Sequence, residues 1–251
     1  MEKFISIPHN NDNLLGVVHE CGDKNAPIAL FLHGIPGDRV DTRRLPVRIA
    51  RNLCEHDINS VRVDLYASGI SLGEYSMVTL GDQLEQLKKI VLYIRNDLKF
   101  NGLLNLIAFS ESAKLALKLM QETKSINSIC FCNGILFKEQ TVDSLRIKKL
   151  YKRFSQYVGN IGFGVWLNAK VFDEITKYSI DDSAKLPMDK LMFIYGDSDL
   201  MTQESRCTLE KQAKYMQIIH GADHLFTRSQ YDEQIIQYVY SWLKYINKLQ
   251  N

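Results

Sequence analysis

The sequence predicts a single α/β domain over residues 1–251: a mostly parallel, eight-stranded sheet with helices on both faces and a small helical cap. Three observations predict it. Short apolar runs alternate with helical patterns along most of the chain, the rhythm of a parallel sheet covered on both sides. The interval between the apolar run ending at Cys132 and the next one at Leu191 is too long for an ordinary crossover, which places a cap insertion at about 135–187. A chain of 251 residues also buries roughly 70 to 75% of its unfolded surface, enough for a core that needs neither disulfide nor metal.

The elements follow in order. Phe4-Ile5-Ser6-Ile7 and Leu14-Leu15-Gly16-Val17-Val18 flank the turn-rich His9-Asn10-Asn11-Asp12-Asn13, predicting an antiparallel hairpin of edge strands. Ile28 to Leu32 is a continuous apolar run ending at His33-Gly34, as expected of a central strand buried on both faces. Residues 42–56 read as a helix, Ser60 to Leu65 as a strand, and Leu80 to Asn96 as a helix with apolar spacing of three and four. Leu103 to Ala108 is the next strand, Glu111 to Thr123 a helix, and Ile126 to Cys132 a strand. The cap stretch shows helical patterns interrupted by Gly159, Gly162 and Gly164. Leu191 to Tyr195 and Met216 to Ile219 supply the last strands, and Ser229 to Leu249 a terminal helix.

Chemistry enters at Leu106-Ile107-Ala108-Phe109-Ser110-Glu111-Ser112-Ala113, where a buried strand turns into a helix around a serine. Such a nucleophile elbow needs small residues two positions before and after the serine, because strand and helix cross closely there. Ala108 and Ser112 stand at those positions in place of the usual glycines. A serine that merely caps the helix is the plainer alternative, and Ser112 is poorly placed to be the nucleophile instead. Phe193-Ile194-Tyr195-Gly196-Asp197-Ser198-Asp199 ends a strong apolar run with two aspartates. Asp199 is the candidate acid, and Asp197 the residue that holds the turn. Ile218-Ile219-His220-Gly221-Ala222-Asp223-His224 offers two histidines. His224, in the loop beyond a glycine, is the candidate base, and His220 lies closer to the strand. The order Ser110, Asp199, His224, each after a separate strand, is that of a nucleophile, acid and base set on this kind of sheet. Backbone amides of Ile35, in His33-Gly34-Ile35-Pro36-Gly37, and of Glu111 are placed to form an oxyanion hole.

These landmarks resemble the α/β-hydrolase superfamily over nearly the whole chain. Within it, Val63-Asp64-Leu65-Tyr66-Ala67-Ser68-Gly69-Ile70-Ser71 and Gly221-Ala222-Asp223-His224 look like the serine-aminopeptidase-like group that includes small cinnamoyl and feruloyl esterases. The resemblance implies a serine carboxylesterase acting on a modest acyl or aryl ester through an acyl-enzyme, without cofactor or metal. Glu111 departs from the pattern by putting a charge beside the nucleophile, and its plain reading is an exposed residue at a helix N-terminus.

Composition narrows the partners. Lys plus Arg number 31 against 29 Asp plus Glu, a net charge of +2 that offers no global attraction to nucleic acid or an anionic membrane. The five cysteines are scattered without CxxC or metal-ligand spacing and read as reduced thiols. The opening residues lack an apolar signal region and no later stretch is long enough to span a bilayer, so a soluble cytoplasmic protein is the expectation. Arg146-Ile147-Lys148-Lys149-Leu150-Tyr151-Lys152-Arg153-Phe154 reads as a basic amphipathic helix. A solvated face explains it plainly. The sharper alternative is docking of an acyl carrier protein or coenzyme A, which would make the chain a thioesterase or acyltransferase. A non-catalytic binding protein on the same fold is the reading of a different class.

Overall fold

A computed structural model of the chain describes residues 1–21, 23–138, 150–153, 156–162, 165–181 and 184–249. Its main sheet has the order β1(Glu2–His9), β2(Asp12–His19), β4(Asn59–Val63), β3(Ile28–Leu32), β5(Leu104–Phe109), β6(Ile126–Cys132), β10(Leu191–Gly196), β11(Met216–Ile219). Every pairing from β4 to β11 is parallel, whereas β2 pairs antiparallel with both β1 and β4. The hairpin is therefore as expected, but β1 is the edge and β2 lies one strand in.

All residues of β3, β4, β5, β6 and β10 are buried, which is why β3 and β10 read as unbroken apolar runs rather than alternating ones. Alternation reappears as a choice of face. Leu106 and Ala108 of β5 join the core beneath α2(Leu80–Asn96) and α3(Ser112–Glu122), while Ile107 and Phe109 join the one beneath α1(Leu45–Cys54) and α6(Asp232–Lys248). Fully burying an Ile such as Ile107 stabilises the fold by about 2 kcal/mol. Helix α2 starts where Thr79 accepts from the Asp82 amide (3.1 Å) and donates to the Asp82 carboxylate (2.6 Å). The terminal helix is shorter than expected, since Ser229–Tyr231 forms a 3₁₀ turn before it.

The cap differs from its helical expectation. Among the described residues it is a three-stranded antiparallel sheet, β7(Leu150–Arg153), β8(Gln156–Gly162) and β9(Val165–Asn168), followed by α4(Ala169–Tyr178). Tyr151 pairs across the ladder with Val158, and its ring meets Trp166 edge-on at 5.3 Å. Aromatic and β-branched residues pack well on a pleated surface, and this packing overrides the helical reading of the basic stretch. Of that stretch Leu150–Arg153 is a strand, and residues 146–149 and 154 lie outside the described residues. Glu174 of α4 accepts from the Leu80 amide (2.6 Å), tying the cap to the start of α2.

The expectation of reduced thiols is corrected at two positions. Cys21, just past β2, is disulfide-bonded to Cys54 at the end of α1, with Cα atoms 5.3 Å apart. Spacing alone could not pair residues 33 positions apart that the fold brings side by side. Cys130, Cys132 and Cys207 are free thiols.

Candidate active site

The C-terminal ends of β3, β5, β6 and β10 and the loop after β11 converge on one cleft. Ser110 sits between β5 and α3 with φ of 54°, the left-handed conformation that lifts a side chain out of a tight strand-to-helix turn. Close approach explains the small neighbours. A Cβ on Gly34 would lie 3.1 Å from the Ser110 Cβ, so a side chain there would press on the elbow that glycine passes freely. The Ser112 hydroxyl accepts from the Phe109 amide (3.0 Å) and lies within donating distance of the Leu32 (2.9 Å) and Phe109 (2.8 Å) carbonyls. Serine at this position thus fastens the elbow to β3, and its buried, backbone-engaged hydroxyl is unsuited to be a nucleophile.

The Ser110 Oγ is 2.8 Å from His224 Nε2, and His224 Nδ1 is 2.8 Å from Asp199 Oδ2. Asp199 is 1% exposed and accepts two further hydrogen bonds, from the Met201 amide (2.9 Å) and the Thr202 hydroxyl (2.6 Å). Those donors leave Nδ1 as the protonated nitrogen facing Asp199 and Nε2 free to accept from serine. The three residues named from the sequence are together, in one hydrogen-bonded line.

Asp197 and His220 form a separate pair on the outside. The Asp197 carboxylate contacts His220 Nδ1 (2.9 Å) and accepts from the Gly221 amide (2.6 Å), and these bonds hold its pKa below the usual carboxylate range. Asp197 does hold the turn, and His220, with an 89% exposed side chain, lies away from the cleft.

The amides of Ile35 and Glu111 donate to no acceptor among the described residues. Both flank Ser110, one through Gly34 and one by direct bond. His33 shapes the first of these loops. Its Nε2 accepts from the Leu65 amide (3.2 Å) and its Nδ1 lies 3.0 Å from the Gly34 carbonyl, a pattern that fits a neutral ring protonated on Nδ1. The Glu111 side chain corrects its expectation. It is buried, 6% exposed, and pairs with Lys114 Nζ at 2.7 Å one turn along α3, so it is not a solvated residue drawn to the helix dipole.

Asn133, missed in the sequence, holds the loops in register. Its side-chain amide donates to the carbonyls of Asp223 (3.0 Å) and His224 (2.9 Å), and its carbonyl accepts from the Gly196 amide (2.8 Å). It follows β6 with φ of 45°, a conformation asparagine tolerates better than most residues. An asparagine directly after a buried strand was the available signal. A Cβ on Gly196 would come within 2.2 Å of the Ala222 carbonyl, so this junction too is closed tightly.

The cleft is narrow, about 40 Å³, and is lined by Gly34, Leu45, Ser110, Cys132, His224 and Phe226 among others. A wider groove lies on the far side of the Gly34–Gly37 loop, between Pro36, Ser68, Tyr75 and Trp166 of the cap. The described residues include no group of three or more His, Cys, Asp or Glu arranged to hold a metal, and no helix long and apolar enough to cross a membrane.

No protein-family model and no curated protein matches the chain. Solved structures do. Est1E from Butyrivibrio proteoclasticus, solved with ferulic acid bound, superposes with a TM-score of 0.76 at 17% identity, over 95% of this chain and 97% of its own. The Pyrococcus furiosus esterase Pf2001 gives 0.65 at 19%, over 97% and 90%. The esterase domain of a Rhodothermus marinus protein gives 0.68 at 14%, over 96% and 97%. Sheet order, elbow and full-length superposition together establish that this chain has the α/β-hydrolase fold, with esterases and hydrolases as its structural neighbours.

Proposed function

We propose that the protein is a serine hydrolase that cleaves carboxylic esters through an acyl-enzyme intermediate. The observation that supports this reading best is the continuous hydrogen-bonded line from Ser110 through His224 to Asp199, starting at a serine with left-handed backbone in an open cleft. A serine hydroxyl is a weak nucleophile on its own and needs a base within hydrogen-bond reach.

In the proposed cycle His224 Nε2 takes the Ser110 proton as Oγ attacks the acyl carbonyl carbon. The carbonyl π electrons move to oxygen, and the resulting oxyanion is received by the free amides of Ile35 and Glu111. Each such donor is worth on the order of 10²–10³ in rate. Asp199 keeps the ring in the correct tautomer and stabilises the imidazolium. The tetrahedral species collapses, the ester C–O bond breaks, and His224 gives its proton to the departing alkoxide. Water then repeats the sequence: His224 removes its proton, the acyl–Oγ bond breaks, and the carboxylic acid leaves. The steps balance with water as the only co-reactant. Ferulic acid bound to Est1E makes an aryl acyl group the first one to try.

Hydrolysis of p-nitrophenyl acetate, butyrate and octanoate beside an acyl thioester, with fluorophosphonate labelling followed by mass, tests the proposal. Ester turnover with a label that disappears in Ser110→Ala is the expected result. Preferential thioester turnover would replace the ester reading by the thioesterase one. Neither labelling nor turnover would sink both.

A further inference from the structure

One charged side chain in the cleft has no place in the cycle above. Asp41 lies on the same wall as Ser110, His224 and Leu45, with Thr42 beside it, in a lining that is otherwise largely apolar. Its Oδ1 accepts from the Thr42 amide (2.8 Å) and faces the Thr42 hydroxyl at 3.5 Å, while Oδ2 has no hydrogen-bond partner among the described residues. Its backbone is strained, with φ of 48° and ψ of −166°.

None of the neighbouring cations forms an ion pair with Asp41, and Arg44, whose amide donates to the Asp41 carbonyl (3.4 Å), has an exposed side chain. Arg39 bonds to the buried Asp64, and Arg43 and Arg48 both bond to the buried Asp232. His33 uses Nε2 on the Leu65 amide and Nδ1 toward the Gly34 carbonyl, so neither ring nitrogen bonds to Asp41. Asp38, the nearest other carboxylate, is occupied by the amides of Val40 (2.6 Å) and Asp41 (2.8 Å) and adds negative charge to the same loop. A half-buried carboxylate with one unpartnered oxygen in a largely apolar cleft is a ready acceptor for a cationic group of a ligand. Burial, with Asp38 adding to it, also raises the pKa of Asp41.

We infer that Asp41 is a specificity-determining residue, and that the cleft receives an ester whose short acyl arm ends in a primary ammonium group, which donates to Asp41 Oδ2 while Ser110 attacks the carbonyl. This rests on the serine-hydrolase reading and narrows its substrate class. The narrowness of the cleft limits that arm to a few atoms.

The experiment compares the rate at which two isosteric phosphonofluoridates, one with a 2-aminoethyl arm and one with an n-propyl arm, label the full-length protein. In each case Ser110 Oγ bonds to phosphorus, the P–F bond breaks, and the serine proton passes to His224 while fluoride leaves. The aminoethyl probe should label roughly tenfold faster, the equivalent of one charge-assisted hydrogen bond. In Asp41→Asn that ratio should fall to about one or below. Asparagine retains the Oδ1 that caps Thr42 and tolerates positive φ, so the variant preserves the loop. A ratio near one in the unmodified protein, or one that Asp41→Asn leaves unchanged, overturns the assignment of Asp41 while Ser110 stands. No labelling by either probe overturns the serine reading and this one with it.

Discussion

Two polar networks occupy opposite ends of the same strands, and they are built on different rules. At the C-terminal ends, Asp199 is buried as a carboxylate and is met by three donors, from Met201, Thr202 and His224. The network then leads outward to a half-exposed serine. At the N-terminal ends, Asn105, Asn127, Ser128 and Asn247 are all buried and bond mainly to one another, with Asn105 linking β5 to β6 and to the terminal helix. Here Asn127 Oδ1 and Asn247 Nδ2 meet no partner among the described residues. A neutral amide atom left unpaired costs about 1–3 kcal/mol, which a domain can bear. An unpaired buried carboxylate costs far more. Charge at one end therefore demands complete satisfaction, and on the proposed reading that network carries the chemistry, whereas neutral amides at the other end tolerate imperfection and serve only to join elements.

The sharpest separation of the two ends is catalytic. Ser110→Ala or His224→Ala should lower kcat by at least about 10⁴-fold, since triad members act as a unit, while the melting temperature stays within a few degrees. Steady-state kinetics beside calorimetry checks this, and a variant that retains a tenth of the activity would break the assignment of the C-terminal network to chemistry.

Asn133→Ala tests positioning rather than chemistry. Losing three bonds that align the acid and base loops should reduce kcat on the order of 10- to 100-fold with a smaller change in KM. Fluorophosphonate should still react, more slowly. An unchanged kcat would show that the loops hold their register without Asn133.

At the other end, Asn105→Ala should cost about 2–3 kcal/mol in urea unfolding, because it strands the Ser128 hydroxyl and leaves Asn127 and Asn247 bonded only to each other. Its kcat should match the parent. A loss of activity in the folded variant would mean that the two networks are coupled along the strands.

The smallest effect concerns His19, on the same N-terminal side of the sheet, where it pairs in register with Ser60. Burial and the Arg62 guanidinium, which donates to Nε2 at 3.1 Å, push its pKa down to about 4. An unfolded histidine titrates near 6.5, so between these values the unfolded state binds the extra proton. The stabilising contribution is complete above about pH 6.5 and is lost as pH falls toward 4, amounting to about 2 kcal/mol. Unfolding measured from pH 7 to pH 4 should show a shallower acid loss in His19→Gln than in the parent, and parallel curves would rule the effect out.

Much of this site was legible because its residues announce themselves locally. Ser110 and Asp199 each follow a buried strand and His224 a partly buried apolar run, and the order of runs sets which strands they cap. Asn133 follows such a run too, yet nothing in its neighbours signals that its amide reaches loops 90 and 91 positions away. Glu111 was misread because helix-terminal glutamates are ordinarily solvated, and only the packing around α3 shows the pairing with Lys114. The cap was misread because a short stretch with mixed apolar spacing fits either a helix or strands, and its cross-strand partners decide.

The sequence by itself determined the layered sheet, the succession of its elements, and the three residues set at strand ends. Hydrophobic periodicity and turn chemistry are local properties, so they survive in one dimension. Tertiary structure alone decided that Cys21 meets Cys54, that the cap carries a sheet, and that Asp41 enters the cleft without a countercharge. Each of these depends on which distant groups share a few ångströms of space, and on whether a charge finds its partner there.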